Sequence, residues 1–139
     1  MRYLLDTNIL AFLVIGDKDS ISADVSEIIS DYSNQICTSS IAVFELIQLY
    51  KAGKVKPKAF KSAIEIQNAI ENQLYIKVLP FGNQQTATLA ELVPVENHKD
   101  PFDHAIISHA ISEKLTLVSS DRQFEKYTSQ KLNFVFNKR

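Results

Sequence analysis

Tyr3-Leu4-Leu5 runs unbroken into Asp6, and so short an apolar run stopped by an acid predicts a buried strand over residues 2–6. Residues 8–15 are apolar enough for a short helix directly behind it. Over 22–32, Val25, Ile28, Ile29 and Tyr32 recur at helical spacing, with Ser22 as the cap. Residues 35–38 read as a short strand and 40–52 as a helix stopped by Gly53. Pro57 is expected to open the next helix, with Phe60, Ala63, Ile64, Gln67 and Ile70 along one face. A strand over 74–79 and a helix over 84–92 follow, the helix ending ahead of Pro94. Asp100 caps a helix over 100–114 that carries Pro101 in its first turn. Residues 115–119 read as an apolar strand, 121–127 as a short helix and 133–136 as a last strand. Strands alternating with helices imply right-handed crossovers and a parallel sheet covered on both faces, so the fold class is α/β.

Composition narrows the possibilities without choosing among them. A length of 139 residues suits one domain over 1–139. With 45% hydrophobic and 22% charged residues, the chain is too apolar for disorder. The single cysteine, Cys37, excludes an internal disulfide and a cysteine-based metal cluster; within a short strand it reads as a small buried apolar group. No apolar run approaches the roughly 18–20 residues needed to cross a bilayer. An acid within the first few residues argues against a secretory signal, so a cytoplasmic protein is expected.

The net charge of −1 conceals an uneven distribution. Residues 1–45 hold two basic residues against seven acids, whereas 46–139 hold 13 against 9. No acid lies between Glu45 and Glu65, and Lys51, Lys54, Lys56, Lys58 and Lys61 fall in that interval. This stretch reads either as a solvated tip or as a local positive field for a polyanion or partner.

Four acids stand where acids are costly. Ligands of open parallel sheets bind outside the carboxyl ends of the strands, and Asp6 and Asp121 both follow strands there. Asp103 lies in the first turn of the helix led by Asp100. Glu45 sits in Ile41-Ala42-Val43-Phe44-Glu45-Leu46-Ile47 with six apolar neighbours and no base one turn away. Simpler roles exist for three of them: Asp6 and Asp121 as helix caps, and Asp103 as the third residue of a capping box begun by Asp100. Glu45 has no such role; in an apolar stretch it must find a partner, shift its pKa or meet a cation. Four gathered carboxylates would repel one another, and a divalent cation relieves that repulsion. All-oxygen ligation suits Mg²⁺ or Mn²⁺. Such a site polarises phosphate oxygens and activates water, which suits the phosphodiester of a nucleic acid.

Four segments in register carry a resemblance. They are Leu4-Leu5-Asp6-Thr7-Asn8-Ile9-Leu10, Ser39-Ser40-Ile41-Ala42-Val43-Phe44-Glu45-Leu46, His98-Lys99-Asp100-Pro101-Phe102-Asp103-His104 and Leu115-Thr116-Leu117-Val118-Ser119-Ser120-Asp121. Together they resemble the PIN-domain nucleases, and within them the VapC-type toxins of toxin–antitoxin pairs. The resemblance spans nearly the whole chain. It implies a three-layer α/β/α fold with a central twisted parallel sheet, and a metal-dependent endoribonuclease that hydrolyses RNA with a metal-activated water. The family's acidic quartet maps onto Asp6, Glu45, Asp103 and Asp121: the three aspartates as metal ligands, Glu45 ligating through water or orienting the nucleophile. Ser119 stands where the family more often has Thr, Asn8 matches an Asn that orients the first acid, and Asp100 is assigned to capping. His104 replaces an Arg common in this branch, which bears on how RNA is held. His98 is expected on a surface loop and His109 on a helix face. The resemblance further implies an antitoxin partner that covers or enters the acidic cleft, and commonly a homodimer.

Two other readings of the acids compete. An aspartyl-phosphate phosphatase would want an acid two residues after its nucleophile, where Asn8 stands, and a receiver domain would want paired acids near its first strand. A catalytically silent RNA- or protein-binding domain of the same fold would not need all four acids.

Overall fold

The computed structural model describes residues 1–139. Five strands, β1 (Arg2–Leu5), β2 (Gln35–Ser39), β3 (Lys77–Leu79), β4 (Thr116–Ser119) and β5 (Asn133–Phe136), form one sheet in the order β3-β2-β1-β4-β5. Every neighbouring pair is parallel. The helices are α1 (Thr7–Ile15), α2 (Ala23–Ser30), α3 (Ser40–Lys51), α4 (Ala63–Asn72), α5 (Asn83–Glu91) and α6 (Pro101–Glu113). Short 3₁₀ segments cover Lys18–Ser20 and Arg122–Gln130. Helices on both faces of the sheet complete three α/β/α layers.

The central strands explain the core. Leu4, Leu5, Leu117 and Val118 are fully buried, as strands covered on both faces require. Against them pack Ile9, Leu10, Leu46, Ile106 and Ile107. Cys37 is buried on β2 among these apolar side chains, as expected.

The strand order places the site. From β1 the chain moves to β2 on one side, while β4 lies on the other, so the order reverses between β1 and β4. That switch point opens a crevice at the carboxyl ends of the two strands. Register holds Leu5 beside Val118 there, and the Asp6 amide donates to the Val118 carbonyl at 3.0 Å.

Several boundaries differ from expectation, each for a local reason. Pro57 does not open a helix; α4 begins at Ala63, six residues later. Ser62 is the cap: its Oγ accepts from the Glu65 amide at 3.2 Å, and the Glu65 carboxylate reaches back to accept from the Lys61 amide at 3.0 Å. The buried face is accordingly Ile66, Ala69 and Ile70, while Ile64 and Gln67 are exposed. β3 is shorter than 74–79 because Tyr75 adopts a left-handed φ of 55°. The last helical segment is 3₁₀ and runs to Gln130.

Asn137 ties the end of the sheet to the rest. Fully buried, it accepts from the Ser22 amide and donates to the Ser20 carbonyl and Ser120 Oγ. This fixes the turn that delivers Asp121.

Candidate active site

Each acid arrives on a differently built element. Asp6 ends β1 and caps α1, its carboxylate accepting from the Thr7 amide at 2.7 Å. Asp121 follows β4 and caps the 3₁₀ segment, accepting from the Gln123 amide at 2.9 Å. Asp103 lies in the first turn of α6. The cap roles of Asp6 and Asp121 are therefore real, and they are compatible with a shared site. Three carboxylates stand at the amino ends of helical segments, where exposed N–H groups favour negative charge. Asp100 caps α6 through the Phe102 amide, but Asp103 makes no capping box with it. The carboxylate of Asp103 instead meets the His98 ring.

Asp6, Glu45, Asp100, Asp103 and Asp121 line one cavity of about 240 Å³ together with Thr7, Asn8, Ala11 and Leu49. No Lys or Arg lines it, and none forms a salt bridge with any of these acids. Glu45 takes its hydrogen bond from a neutral group, the Thr7 hydroxyl, at 2.6 Å. Burial raises the pKa of Glu45, more than the Thr7 bond lowers it. Burial also pushes Asp6 up to about 7, the Ser119 hydroxyl opposing and the Asp103 charge assisting. Asp103 likewise rises to about 7, through burial first and then the charges of Asp100, Asp121 and Glu45. The acids thus feel one another across the cavity.

Ser119 joins two of them. Its hydroxyl donates to Asp6 Oδ2 at 2.6 Å and accepts from the Asp121 amide at 3.0 Å and from Asn8 Nδ2 at 3.2 Å. Asn8 Oδ1 accepts from the Ser120 amide. The expected orienting pair, Asn8 and Ser119, therefore stands between the first acid and the last.

The donor set fits a hard divalent cation: the groups facing the cavity are carboxylates, a hydroxyl and an amide, with no positive side chain to neutralise them. The carboxylates line its walls rather than meeting at a point, and no three His, Cys, Asp or Glu side chains stand close enough together to hold an ion as they are placed.

Other expected contacts lie elsewhere. Lys51, Lys54, Lys56, Lys58 and Lys61 are exposed from the end of α3 into the following loop, outside the acid cavity. His104 does not line the cavity either; its Nε2–H donates to the His98 carbonyl at 2.8 Å, so it faces the protein. His98 is no surface residue, with only 3% of its area exposed. Asn97 ahead of it adopts a left-handed φ of 68° in the turn where the His98 amide bonds to the Val95 carbonyl, and the imidazole packs against Phe124 and Tyr127. His109 is fully buried on α6 between Ser39 Oγ and Glu113, both at 2.8 Å, and burial lowers its pKa.

Sequence reasoning missed Thr7, His98 and the presence of Asp100 in the cavity wall. Thr7 lies directly behind Asp6, so its place at the site had a local signal. His98 had none: Glu96, Asn97, Lys99 and Asp100 around it read as solvated loop, and its partner Tyr127 lies 29 positions away.

The family model of the PIN domain matches residues 3–129. No curated protein matches the chain in sequence. Among solved structures, the chain is similar to VapBC2 from Rickettsia felis bound to a DNA fragment from its promoter, with 25% identity, a TM-score of 0.70 and 99% of each chain covered. It is also similar to VapBC-1 from nontypeable Haemophilus influenzae, with 21% identity, a TM-score of 0.66 and 98% of each chain covered. The DNA-bound VapBC of Salmonella typhimurium gives 24% identity and a TM-score of 0.66 over 98% of each chain. With the parallel sheet, the crevice at its switch point and a match over nearly all of its length, this chain belongs to the PIN domain family.

Proposed function

We propose that the protein is a divalent-metal-dependent endoribonuclease, the toxin of a toxin–antitoxin pair. One observation carries the reading: five carboxylates from four separate parts of the fold, with no basic side chain among them, line one cavity at the switch point of the sheet. Its likeness to VapBC structures, one of them at 25% identity over 99% of the chain, supports the toxin assignment and an antitoxin partner. The protein works as a cytoplasmic toxin and a homodimer in this reading, with the antitoxin closing the acidic cleft.

Asp6, Asp103 and Asp121 would hold Mg²⁺ or Mn²⁺, with Glu45 at the edge of that set. When bound, the cation supplies Lewis-acid polarisation of a phosphodiester oxygen and acidifies water. The remaining work falls to the chain. Ser119 and Asn8 fix the rotamers of Asp6 and the backbone before Asp121. Thr7 aims Glu45, leaving Glu45 Oε2 without a protein partner and able to orient the attacking water. The exposed lysines from Lys51 to Lys61 offer positive charge to the RNA backbone at a distance from the cleavage point.

Cleavage of single-stranded RNA should proceed with Mg²⁺ or Mn²⁺, stop in excess EDTA and stay absent from Asp121→Asn protein with the metal present. Cleavage undiminished in EDTA would contradict the metal, and full activity of Asp121→Asn would contradict the site.

A further inference from the structure

His98, Tyr127 and the 3₁₀ segment Arg122–Gln130 connect the acids in a way that neither the sequence pattern nor the fold requires. His98 Nε2 lies 3.0 Å from Asp103 Oδ2, and His98 Nδ1 lies 2.7 Å from the Tyr127 hydroxyl. Beside an ionised carboxylate, which only accepts, a neutral imidazole must carry its proton on Nε2, and Nδ1 is then the acceptor. Tyr127 donates to Nδ1, and its oxygen accepts the Val95 amide at 3.0 Å. Every joint is then satisfied in one direction, from the Val95 N–H through Tyr127 and His98 to Asp103.

The chain is buried and anchored at both ends. Tyr127 is fully buried and His98 almost so. Gln130 clamps the loop in front of His98, accepting from the Val93 amide and donating to the Val93 carbonyl. The same 3₁₀ segment therefore begins at the cap Asp121, carries Tyr127 in its middle and holds the His98 loop with its last residue. Asp103 Oδ2 is occupied by the imidazole, while Oδ1 has no protein partner and belongs to a side chain that lines the cavity.

We infer that His98 is a positioning residue: with Tyr127 behind it, it holds the Asp103 carboxylate turned so that one oxygen stays free for the cation, and it ties the placement of Asp103 to that of Asp121. This inference rests on the proposed metal site and specifies which of the chain's own groups sets its geometry. Outer partners of ligating side chains commonly carry 10–100-fold in metal affinity or activity, and a buried polar chain loses its effect when one joint is removed.

The experiment is a titration of the full-length protein with Mn²⁺ alone, alongside RNA cleavage kinetics and ¹⁵N spectra of the histidine rings. The wild type should bind Mn²⁺ saturably and show His98 as the Nε2–H tautomer. Tyr127→Phe, which removes one oxygen and keeps the ring packing, should weaken Mn²⁺ about 10-fold and mix the tautomers. It should lower kcat with little change in KM for RNA. His98→Ala should weaken Mn²⁺ further, and His98→Gln, which retains an N–H for the carboxylate, should recover most of the loss. A merely structural role would lower the melting temperature without the kcat–KM split and without rescue by Gln. Mn²⁺ binding lost in Asp103→Ala but unchanged in both Tyr127→Phe and His98→Ala would overturn the positioning role alone. Absence of saturable binding to the wild type would overturn the metal site, and this role with it.

Discussion

Asp6→Asn protein should leave RNA uncut where the wild type cleaves it, with a rate lower by at least about 100-fold, or roughly 2.7 kcal/mol of barrier. Asp6 is the deepest of the acids, 4% exposed, and it takes the Ser119 hydroxyl bond that an amide nitrogen cannot accept. The same variant carries a second signature in the metal-free state. The Asp6 carboxyl titrates near 7 in the folded protein against a reference of 3.8. Between these values the folded chain holds a proton that the unfolded chain has lost. Stability from this group is therefore complete below about pH 4, declines as pH rises and is gone above about pH 7. The full span is on the order of 4 kcal/mol for so buried a group. Asp103 shifts in the same sense. Urea melts of the metal-free wild type should thus show stability falling from pH 5 to pH 8, and Asp6→Asn should flatten that slope. Wild-type cleavage by Asp6→Asn, or an unchanged slope, would count against the role of Asp6.

Saturating Mn²⁺ should reverse that loss. A ligand at 100 times its Kd stabilises the folded state by about 2.7 kcal/mol, which for a chain of this size raises Tm by roughly 10 °C. Asp6 and Asp103 both titrate near 7, so binding at neutral pH must displace protons. The Tm gain over an EDTA control should therefore be larger at pH 8 than at pH 6 and should shrink in Asp121→Asn. Calorimetric scans with equal Tm in Mn²⁺ and EDTA at pH 8 would contradict the proposal.

How far the sequence revealed this arrangement depended on the kind of signal. Apolar runs such as Tyr3-Leu4-Leu5 and the alternation of strands with helices led to the α/β class, because burial on both faces of a parallel sheet leaves that pattern directly in the chain. The capped helix from Asp100 was legible because Asp-Pro at a helix start has one steric meaning. Glu45 announced itself as a carboxylate among apolar neighbours, and the cavity places it beside four other acids with only Thr7 as its hydrogen-bond donor. Pro57 misled because a cap further on, Ser62 accepting from the Glu65 amide, decided the helix start instead. His98 stayed hidden because its burial comes from a turn at Asn97 and contacts with Phe124 and Tyr127, which bear no periodic relation to it.

Asp6 and Asp121 carry a lesson about competing roles. A capping residue and a metal-site candidate are not alternatives when a helix starts at the end of a strand. One carboxylate oxygen can take the backbone amide while the side chain still borders the crevice, as Asp6 does with the Thr7 amide. Capping then helps the site: it fixes the carboxylate on the sheet, and the helix end moderates its charge.

Anomalous diffraction from crystals soaked in Mn²⁺ would locate the cation itself. A strong peak is expected inside the cavity lined by Asp6, Glu45, Asp103 and Asp121, within ligand distance of at least two of the aspartates and absent from Asp6→Asn crystals. A saturated soak that leaves this cavity without a peak, or that places Mn²⁺ only at surface acids such as Asp31 or Glu65, would contradict the proposed metal site.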